Sequence, residues 1–224
     1  MRAIFFTSIR RYEKTLRSSK FITFEGGEGS GKSTQIRLLG DYLSERGLDC
    51  VTTREPGGTE GADAIRKILV TGQNRNWEPV SEALLHCAAR HSHLTTTVWP
   101  ALQRGTWVIS DRFADSTMAY QGIAMGLGED SINWLYEFTV GNFSPDLTLI
   151  LDLPVELGLA RAQHRGSDEN RYEKMNIQFH EQVRKAFLEI AKSNPSRCIV
   201  VDAHGTVDEV RQKIISAVTE RFDV

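Results

Sequence analysis

The 224-residue chain lacks several features that mark particular classes of protein. Its three cysteines, Cys50, Cys87 and Cys198, are far apart and form no C-x-x-C pair, so neither a disulfide framework nor a zinc site is expected. No apolar run approaches the roughly 20 residues of a membrane-spanning helix. A formal net charge of −2 predicts no broad positive surface for nucleic acid. We therefore expect a cytoplasmic protein with neither nucleic acid nor membrane among its partners.

The start of the chain differs in composition from the rest. Residues 1–20 contain six basic side chains and one acid, Glu13. The apolar run 3–6 is too short for the core of a signal peptide, whereas the basic composition is also compatible with a mitochondrial-type transit peptide. We expect residues 1–19 to form a poorly ordered extension and residues 20–224 to form one domain.

Five short apolar runs predict buried strands, at 21–24, 50–53, 107–110, 147–151 and 198–201. Helical patterns lie between them, and the clearest places apolar residues at three- and four-residue steps from Val207 to Phe222. This alternation predicts an α/β fold, a five-stranded parallel sheet sandwiched by helices. Ligands of such sheets bind beyond the carboxyl ends of the strands. A charged residue follows every predicted strand here: Glu25, Arg54, Asp111, Asp152 and Asp202.

The most specific motif is the segment 26–33, which fits G-x-x-x-x-G-K-[ST] between a predicted strand and a helical pattern. Its glycines let backbone N–H groups point at phosphate oxygens, and the helix N-terminus adds partial positive charge. In this motif Lys32 reaches the β- and γ-phosphates, and the Ser33 hydroxyl ligates Mg²⁺. Asp111 follows the third predicted strand, where an acid would hold Mg²⁺ or its waters.

Other cations indicate that a phosphoryl group is transferred to an acceptor other than water. Arg54, Arg90 and Arg112 are more than a single nucleotide needs. The segment 160–174 interleaves basic residues with glycine, serine, aspartate and asparagine, which break a helix. One interpretation is a solvated surface loop. The other is a lid that brings arginines onto a phosphate as it closes.

Four motifs together resemble the thymidylate kinase family. They are the Glu25-Gly26 pair with the phosphate loop, REPGGT at 54–59, DRF at 111–113 followed by STMAYQ at 116–121, and the RG and RYE blocks at 165–166 and 171–173. The resemblance runs from about residue 21 to the C-terminus. It implies a P-loop nucleoside monophosphate kinase fold with a lid, and Mg²⁺-dependent transfer of the ATP γ-phosphoryl group to dTMP in dTTP synthesis. It also implies a homodimer.

The resemblance assigns roles to individual residues. ATP would be held by Gly26, Gly27, Glu28, Gly29, Ser30, Gly31, Lys32, Ser33, Thr34 and Arg165. The metal would be held by Ser33, Asp111 and Glu28. The residues that would contact dTMP are Glu28, Arg54, His86, Arg90, Arg112, Ser116, Thr117, Tyr120, Gln121 and Tyr172. Catalytic roles would fall on Lys32, Arg112, Glu28, Arg161 and Arg165.

Three positions carry further expectations. Some members of the family have an arginine in the phosphate loop where this chain has Gly29. This chain has arginines in the predicted lid instead, which resembles the bacterial arrangement. His86 stands where a phenylalanine usually stacks on thymine. If the imidazole stacks, dTMP affinity should weaken as pH falls toward 6, and the alternative is a half-buried histidine without ligand contact. We expect Glu55 to orient Arg54 through an ion pair, since an ionised phosphate acceptor needs no general base.

Two rival functions differ in what they would require. Another nucleoside monophosphate kinase or a deoxynucleoside kinase would share the donor site and differ only in its acceptor. A GTPase-like switch needs an Asn-Lys-x-Asp base-reading motif, which the sequence lacks. Its D-x-x-G stretch at 202–205 also lies far too late in the chain for a switch that follows the phosphate loop.

Overall fold

The computed structural model describes residues 19–71, 77–165 and 171–224, with the backbone alone at residue 165. Five strands form one sheet: β1 (Phe21–Glu25), β2 (Cys50–Arg54), β3 (Trp107–Asp111), β4 (Leu147–Asp152) and β5 (Cys198–Asp202). Their order across the sheet is β2-β3-β1-β4-β5, and every neighbouring pair is parallel. The predicted five-stranded parallel sheet is confirmed.

Helices connect the strands and cover both faces of the sheet. They are α1 (Lys32–Glu45), α2 (Glu60–Val70), α3 (Pro79–His93), α4 (Trp99–Gln103), α5 (Ala114–Thr117), α6 (Glu129–Val140), α7 (Val155–Arg165), α8 (Ile177–Ser193) and α9 (Val207–Phe222). Two π-helical segments, Leu94–Val98 after α3 and Met118–Ala124 after α5, interrupt the regular pattern. Segments of this type are frequent at functional sites, and the second carries Tyr120 and Gln121.

The two faces of the sheet bury separate apolar clusters. Ile22 and Phe24 of β1 pack with α1 and α9, whereas Phe21, on the opposite face, packs against Phe113 and Phe143. This alternation is the two-residue period of a strand. The apolar stripe predicted for α1 at residues 36, 39 and 43 is buried in the first cluster, as expected of a helix that covers a sheet.

Each strand extends one residue beyond its predicted end. The last residues are Glu25, Arg54, Asp111, Asp152 and Asp202, which we had placed just after the strands. In the two outer pairs the ladder continues to the last residue, with Arg54 opposite Asp111 and Asp152 opposite Asp202, and Glu25 of β1 lies opposite Ile150. Charged side chains therefore line the carboxyl edge of the sheet itself.

Ser19 lies at the boundary predicted between the N-terminal extension and the domain. Ser19, which we had assigned to the extension, is buried and donates a hydrogen bond to the Leu102 carbonyl oxygen at 2.9 Å. The remainder of the predicted extension, residues 1–18, lies outside the described residues. Across the described ranges, every helix is too short or too polar to cross a membrane.

Candidate active site

The phosphate loop follows β1 directly and leads into α1. At Gly26 φ is 130°, and a Cβ there would lie 2.4 Å from the Leu151 carbonyl oxygen, so this turn requires glycine. The Lys32 ammonium is buried and donates to the carbonyl oxygens of Gly26 at 3.1 Å and Gly27 at 2.8 Å. Burial and the neighbouring Arg112 lower the pKa of Lys32 to about 8. Lys32 thus lies at the centre of the loop, where a phosphate would meet both the ammonium and the loop amides.

Oxygen ligands suited to Mg²⁺ meet where β3 ends and α1 begins. Ser33 Oγ donates to Asp111 Oδ2 at 2.9 Å. Among the described residues, no group of three or more His, Cys, Asp or Glu side chains could hold a metal. A hydroxyl and one carboxylate nevertheless fit Mg²⁺, which takes few protein ligands and completes its shell with phosphate oxygens and water. Glu28, the third predicted ligand, has one carboxylate oxygen engaged by other side chains.

Those side chains are Arg112 and Tyr120. Arg112 Nη2 donates to Glu28 Oε1 at 2.9 Å, and the Tyr120 hydroxyl donates to the same oxygen at 2.8 Å. Burial opposes ionisation of Glu28, but the charges of Arg112 and Lys32 outweigh it and lower its pKa to about 2. Arg112 has a φ of 69°, a strained value for a non-glycine residue that is typical of functional sites.

Glu25 supports this cluster from beneath, and sequence reasoning assigned it no role. It is fully buried, its Oε1 accepts the Phe113 backbone N–H at 2.8 Å, and its Oε2 accepts the Ser116 hydroxyl at 2.5 Å. Ser116 Oγ in turn accepts Arg112 Nη1 at 3.0 Å. Burial, together with nearby Asp115, raises the pKa of Glu25 to about 8. Glu25 therefore ties the end of β1 to the strained turn that carries Arg112.

The predicted ion pair between Glu55 and Arg54 is wrong. Glu55 is buried and accepts Arg90 Nε at 2.7 Å through one oxygen, while its other oxygen lies 2.9 Å from His93 Nδ1. Arg54 instead pairs with Asp63 at 3.2 Å, and both of these side chains are about half exposed. The reason is the direction of the side chains at the end of β2, where consecutive residues point to opposite sides.

Arg90 is held from several directions. Besides the Glu55 contact, its Nη2 donates to the Phe113 carbonyl oxygen at 3.1 Å and to Thr117 Oγ1 at 2.8 Å. Its guanidinium also lies over the Phe113 ring, 5.2 Å from the centroid. The arginine predicted to contact thymine is therefore fixed in position before any ligand binds.

A buried carboxylate that the sequence did not reveal organises the far end of the site. Glu82 has no exposed surface, and its Oε1 accepts Gln121 Nε2 and the Tyr172 hydroxyl, each at 2.8 Å. Its other oxygen pairs with Arg171. From the sequence alone, an acid in the first turn of a helix is expected to interact with the helix dipole. That expectation gave no reason to place Glu82 in the site.

His86 joins the same group through its Nε2, which lies 3.0 Å from the Tyr172 hydroxyl oxygen. Burial and the nearby charges of Arg90 and Arg171 lower the pKa of His86 to about 3. A buried site among arginines disfavours the imidazolium ion, so we expect His86 to gain no charge near pH 6, whether or not it stacks on thymine.

One cavity of about 510 Å³ connects these groups. All ten residues predicted to contact dTMP line it, together with residues 29–34 of the phosphate loop and Asp111. Arg66 of α2 also lines it, and no motif in the sequence indicated this. Within the part of the chain that the structure describes, three predicted site residues do not line it: the loop glycines Gly26 and Gly27, and Arg161, which is exposed on α7. The side chain of Arg165 and residues 166–170 of the predicted lid lie outside the described residues.

Comparisons with known proteins identify the family of this chain. The family model described as Thymidylate kinase matches residues 24–214. The chain belongs to the thymidylate kinase family. It is 50% identical over 202 residues to the thymidylate kinase of Caulobacter vibrioides, covering 90% of this chain and 97% of that one. A Rhodopseudomonas palustris thymidylate kinase is also 50% identical, over 206 residues that cover 91% of this chain and 90% of the relative.

A solved structure supports the same assignment. The crystal structure of thymidylate kinase from Ehrlichia chaffeensis superposes with a TM-score of 0.74 at 35% identity, covering 89% of this chain and 98% of that one. The fold expected for a P-loop kinase is thus confirmed, as is membership of a phosphotransferase family that transfers the ATP γ-phosphoryl group to dTMP. The GTPase-like switch is excluded.

Proposed function

We propose that this protein transfers the γ-phosphoryl group of ATP to dTMP, giving ADP and dTDP. The observation that carries the proposal is the single continuous cavity between the phosphate loop and an arginine-lined wall. ATP would place its phosphates over the loop at Lys32. The dTMP phosphate would lie between Arg54 and Arg112, so that the two anionic ends meet inside the cavity.

This reaction requires positive charge around the transferred phosphoryl group, and cationic side chains supply it. Negative charge spreads over the oxygens of the transferred group, and no base is needed because a phosphate monoester is largely ionised near neutral pH. Lys32 would contact the donor side of the transferred group and Arg112 the acceptor side. The Glu28 carboxylate, which accepts from Arg112 and Tyr120, would keep the guanidinium aimed at this point.

Ser33 and Asp111 would hold Mg²⁺ at the head of the phosphate loop. When bound, this ion would neutralise charge on the donor phosphate oxygens. The paired hydroxyl and carboxylate oxygens, 2.9 Å apart, support the assignment.

Tyr120 would exclude ribonucleotides. Its ring packs against Arg112, 5.1 Å from the guanidinium carbon, and its hydroxyl is held by Glu28. A ring fixed in this way leaves little freedom to make room for a 2′-hydroxyl. The base would lie deeper in the cavity, among Arg90, His86 and Gln121.

Arg161 and Arg165 would complete the site when a lid closes. Position 165 is the last residue of α7, and Arg161 lies one turn earlier with its side chain exposed. Losing an arginine that stabilises a transferred phosphoryl group costs on the order of 10³-fold in kcat. We expect Arg165→Ala to lower kcat far more than ATP affinity, and an unchanged kcat would reject this assignment.

We also propose a cytoplasmic homodimer. Large apolar side chains are exposed on three helices that pack side by side: Ile68 on α2, Val80 and Leu84 on α3, and Trp134 and Phe138 on α6. Such a patch is typical of a protein–protein interface. The three cysteines are free, which fits a reducing compartment.

The decisive experiment is the initial rate of ADP formation with ATP and Mg²⁺ and each of dTMP, dUMP, dCMP and dGMP. We expect the highest kcat/KM with dTMP and no turnover when Mg²⁺ is chelated. Equal rates with dGMP would indicate a broader monophosphate kinase. Binding of dTMP without turnover would overturn the proposed reaction.

A further inference from the structure

The pyrimidine end of the cavity contains a chain of hydrogen bonds whose direction is set by one residue. Glu82 is fully buried at the start of α3 and faces three residues from other parts of the chain, namely Gln121, Arg171 and Tyr172. An ionised carboxylate accepts hydrogen bonds and donates none. Each of its three partners must therefore present a donor to it.

This requirement fixes the amide of Gln121. Gln121 Nε2 donates to Glu82 Oε1 at 2.8 Å and lies 3.4 Å from the Tyr172 hydroxyl oxygen. With its N–H groups turned toward Glu82 and Tyr172, the carbonyl oxygen Oε1 is the group that Gln121 can offer to a ligand. Because Gln121 lines the cavity, the base meets an acceptor at this position.

The same requirement fixes the proton on His86. The Tyr172 hydroxyl donates its only proton to Glu82 Oε1, so its oxygen can only accept from its remaining neighbours. His86 Nε2 lies 3.0 Å from that oxygen and must be the donor. The neutral imidazole therefore carries its proton on Nε2, and its Nδ1 is an acceptor.

We propose that Glu82 is a positioning residue through which the pocket selects thymine over cytosine. Thymine presents an N–H donor at N3 and an acceptor at O4, whereas cytosine presents an acceptor at N3 and an amino donor at C4. The acceptor of Gln121 and the donors of Arg90 match thymine and oppose cytosine. Glu82 touches no substrate and acts by orienting Gln121. This inference rests on the proposed function.

The test is the substitution Glu82→Gln, which keeps the shape of the side chain and adds a donor. Its single carbonyl oxygen can remain with Arg171 while its amino group faces Gln121, whose amide then rotates and offers N–H to the base. Sites that read a substrate through hydrogen bonds discriminate by up to about 10⁵-fold. We expect the ratio of kcat/KM for dTMP to that for dCMP to fall at least about tenfold in this variant.

Two controls separate this effect from general damage. dUMP shares the hydrogen-bonding edge of thymine, so the ratio of dTMP to dUMP should not change in Glu82→Gln. The matched variant Glu78→Gln removes an exposed carboxylate next to the same helix start and should leave both ratios unchanged. A wild-type preference for dTMP over dCMP that Glu82→Gln retains would overturn this inference alone. A wild-type enzyme with no such preference would overturn the proposed function and this inference together.

A measurement on the wild-type protein keeps the inference testable if Glu82→Gln does not fold. Nitrogen-15 NMR of the imidazole groups distinguishes the two neutral tautomers of histidine, and a His86→Gln variant assigns the signal. We expect His86 to carry its proton on Nε2. A proton on Nδ1 would mean that the Tyr172 hydroxyl does not donate to Glu82, and the proposed direction of the hydrogen bonds would be wrong.

Discussion

Gly29 of the phosphate loop and Gly158 of α7 meet backbone to backbone. A Cβ on Gly29 would lie 1.9 Å from the Gly158 carbonyl oxygen, and a Cβ on Gly158 would lie 2.4 Å from the Glu28 carbonyl oxygen. Neither position has room for a side chain, and Gly29 also has a φ of 66°. An arginine at position 29 is therefore excluded by the position of α7.

Gly158 also lies on the helix that carries the two arginines proposed to act on the transferred group. Positions 161 and 165 follow Gly158 by three and seven residues, so all three lie on the same face of α7. The face of α7 that contacts the phosphate loop thus also carries Arg161 and Arg165, the two arginines proposed to act on the transferred phosphoryl group. An arginine in the phosphate loop is thus sterically excluded in this chain, which fits the proposal that Arg161 and Arg165 act from α7 instead.

We predict that Gly158→Ala lowers kcat by on the order of tenfold or more, because a methyl group forces α7 away from the loop and misplaces Arg161 and Arg165. ATP affinity should fall much less, since the loop amides and Lys32 remain. Steady-state kinetics and ATP binding by calorimetry test this. Gly61→Ala in α2 is the control, since a Cβ there would meet nothing closer than 3.7 Å. An unchanged kcat in a folded Gly158→Ala protein would contradict the prediction.

Glu25 should make stability depend on pH. Its pKa is raised to about 8 in the folded protein and is near 4.5 when the chain is unfolded. The folded state therefore holds a proton that the unfolded state has lost. The contribution is fully present below pH 4.5 and is lost as pH rises to 8, by up to about 1.4 kcal/mol per pH unit.

Glu25→Gln, which mimics the protonated form, should be less sensitive to pH. We expect the fall in melting temperature between pH 5.5 and 8.5 to be smaller in this variant than in the wild type. Glu220→Gln, at an exposed position of α9, controls for the loss of a carboxylate. If wild type and Glu25→Gln show the same pH dependence, Glu25 does not hold a proton in the folded state.

His86 should remain neutral throughout the physiological range. With a pKa of about 3, only about 0.1% of the imidazole is protonated at pH 6. The second ionisation of the dTMP phosphate, near pH 6, affects any variant equally. We therefore predict that the ratio of the KM for dTMP in His86→Phe to that in wild type stays constant from pH 8 to pH 6. A ratio that decreases steadily as the pH is lowered from 8 to 6 would show that His86 becomes charged.

Trp134 should contribute to the proposed dimer. It is 64% exposed on α6 and stacks on Phe138, with ring centroids 5.7 Å apart. Trp134→Asp would place a charge in an apolar interface, so we expect monomers at micromolar concentration in sedimentation or light-scattering measurements. Val207→Asp, at another exposed apolar position, should leave the dimer intact. A monomeric wild-type protein would reject this interface outright.

Much of the fold could be predicted because its signals are local. Apolar runs of four or five residues mark strands, and a glycine loop that ends in Lys32 and Ser33 marks a strand–loop–helix unit whatever surrounds it. The predicted residues at the strand ends share one cavity for a related reason: parallel strands bring their carboxyl ends to one edge. The order of motifs along the chain was therefore enough to bring Arg54 and Arg112 to the phosphate loop, whereas the positions of His86 and Tyr172 depend on how the helices pack.

Only the tertiary structure decided which charged groups pair and which lose their ordinary ionisation. Glu55 pairs with Arg90 rather than Arg54, although it is adjacent to Arg54, because neighbouring residues of a strand point apart. In the sequence Glu82 is an ordinary acid in the first turn of a helix, whereas in the fold it accepts hydrogen bonds from Gln121 and Tyr172, which lie in distant segments. The pKa values of Glu25 and His86 depend on burial by the whole fold. Residue types and their spacing along the chain indicate local geometry. The desolvation of charged side chains and the pairing of residues far apart in the chain arise only when the segments pack together.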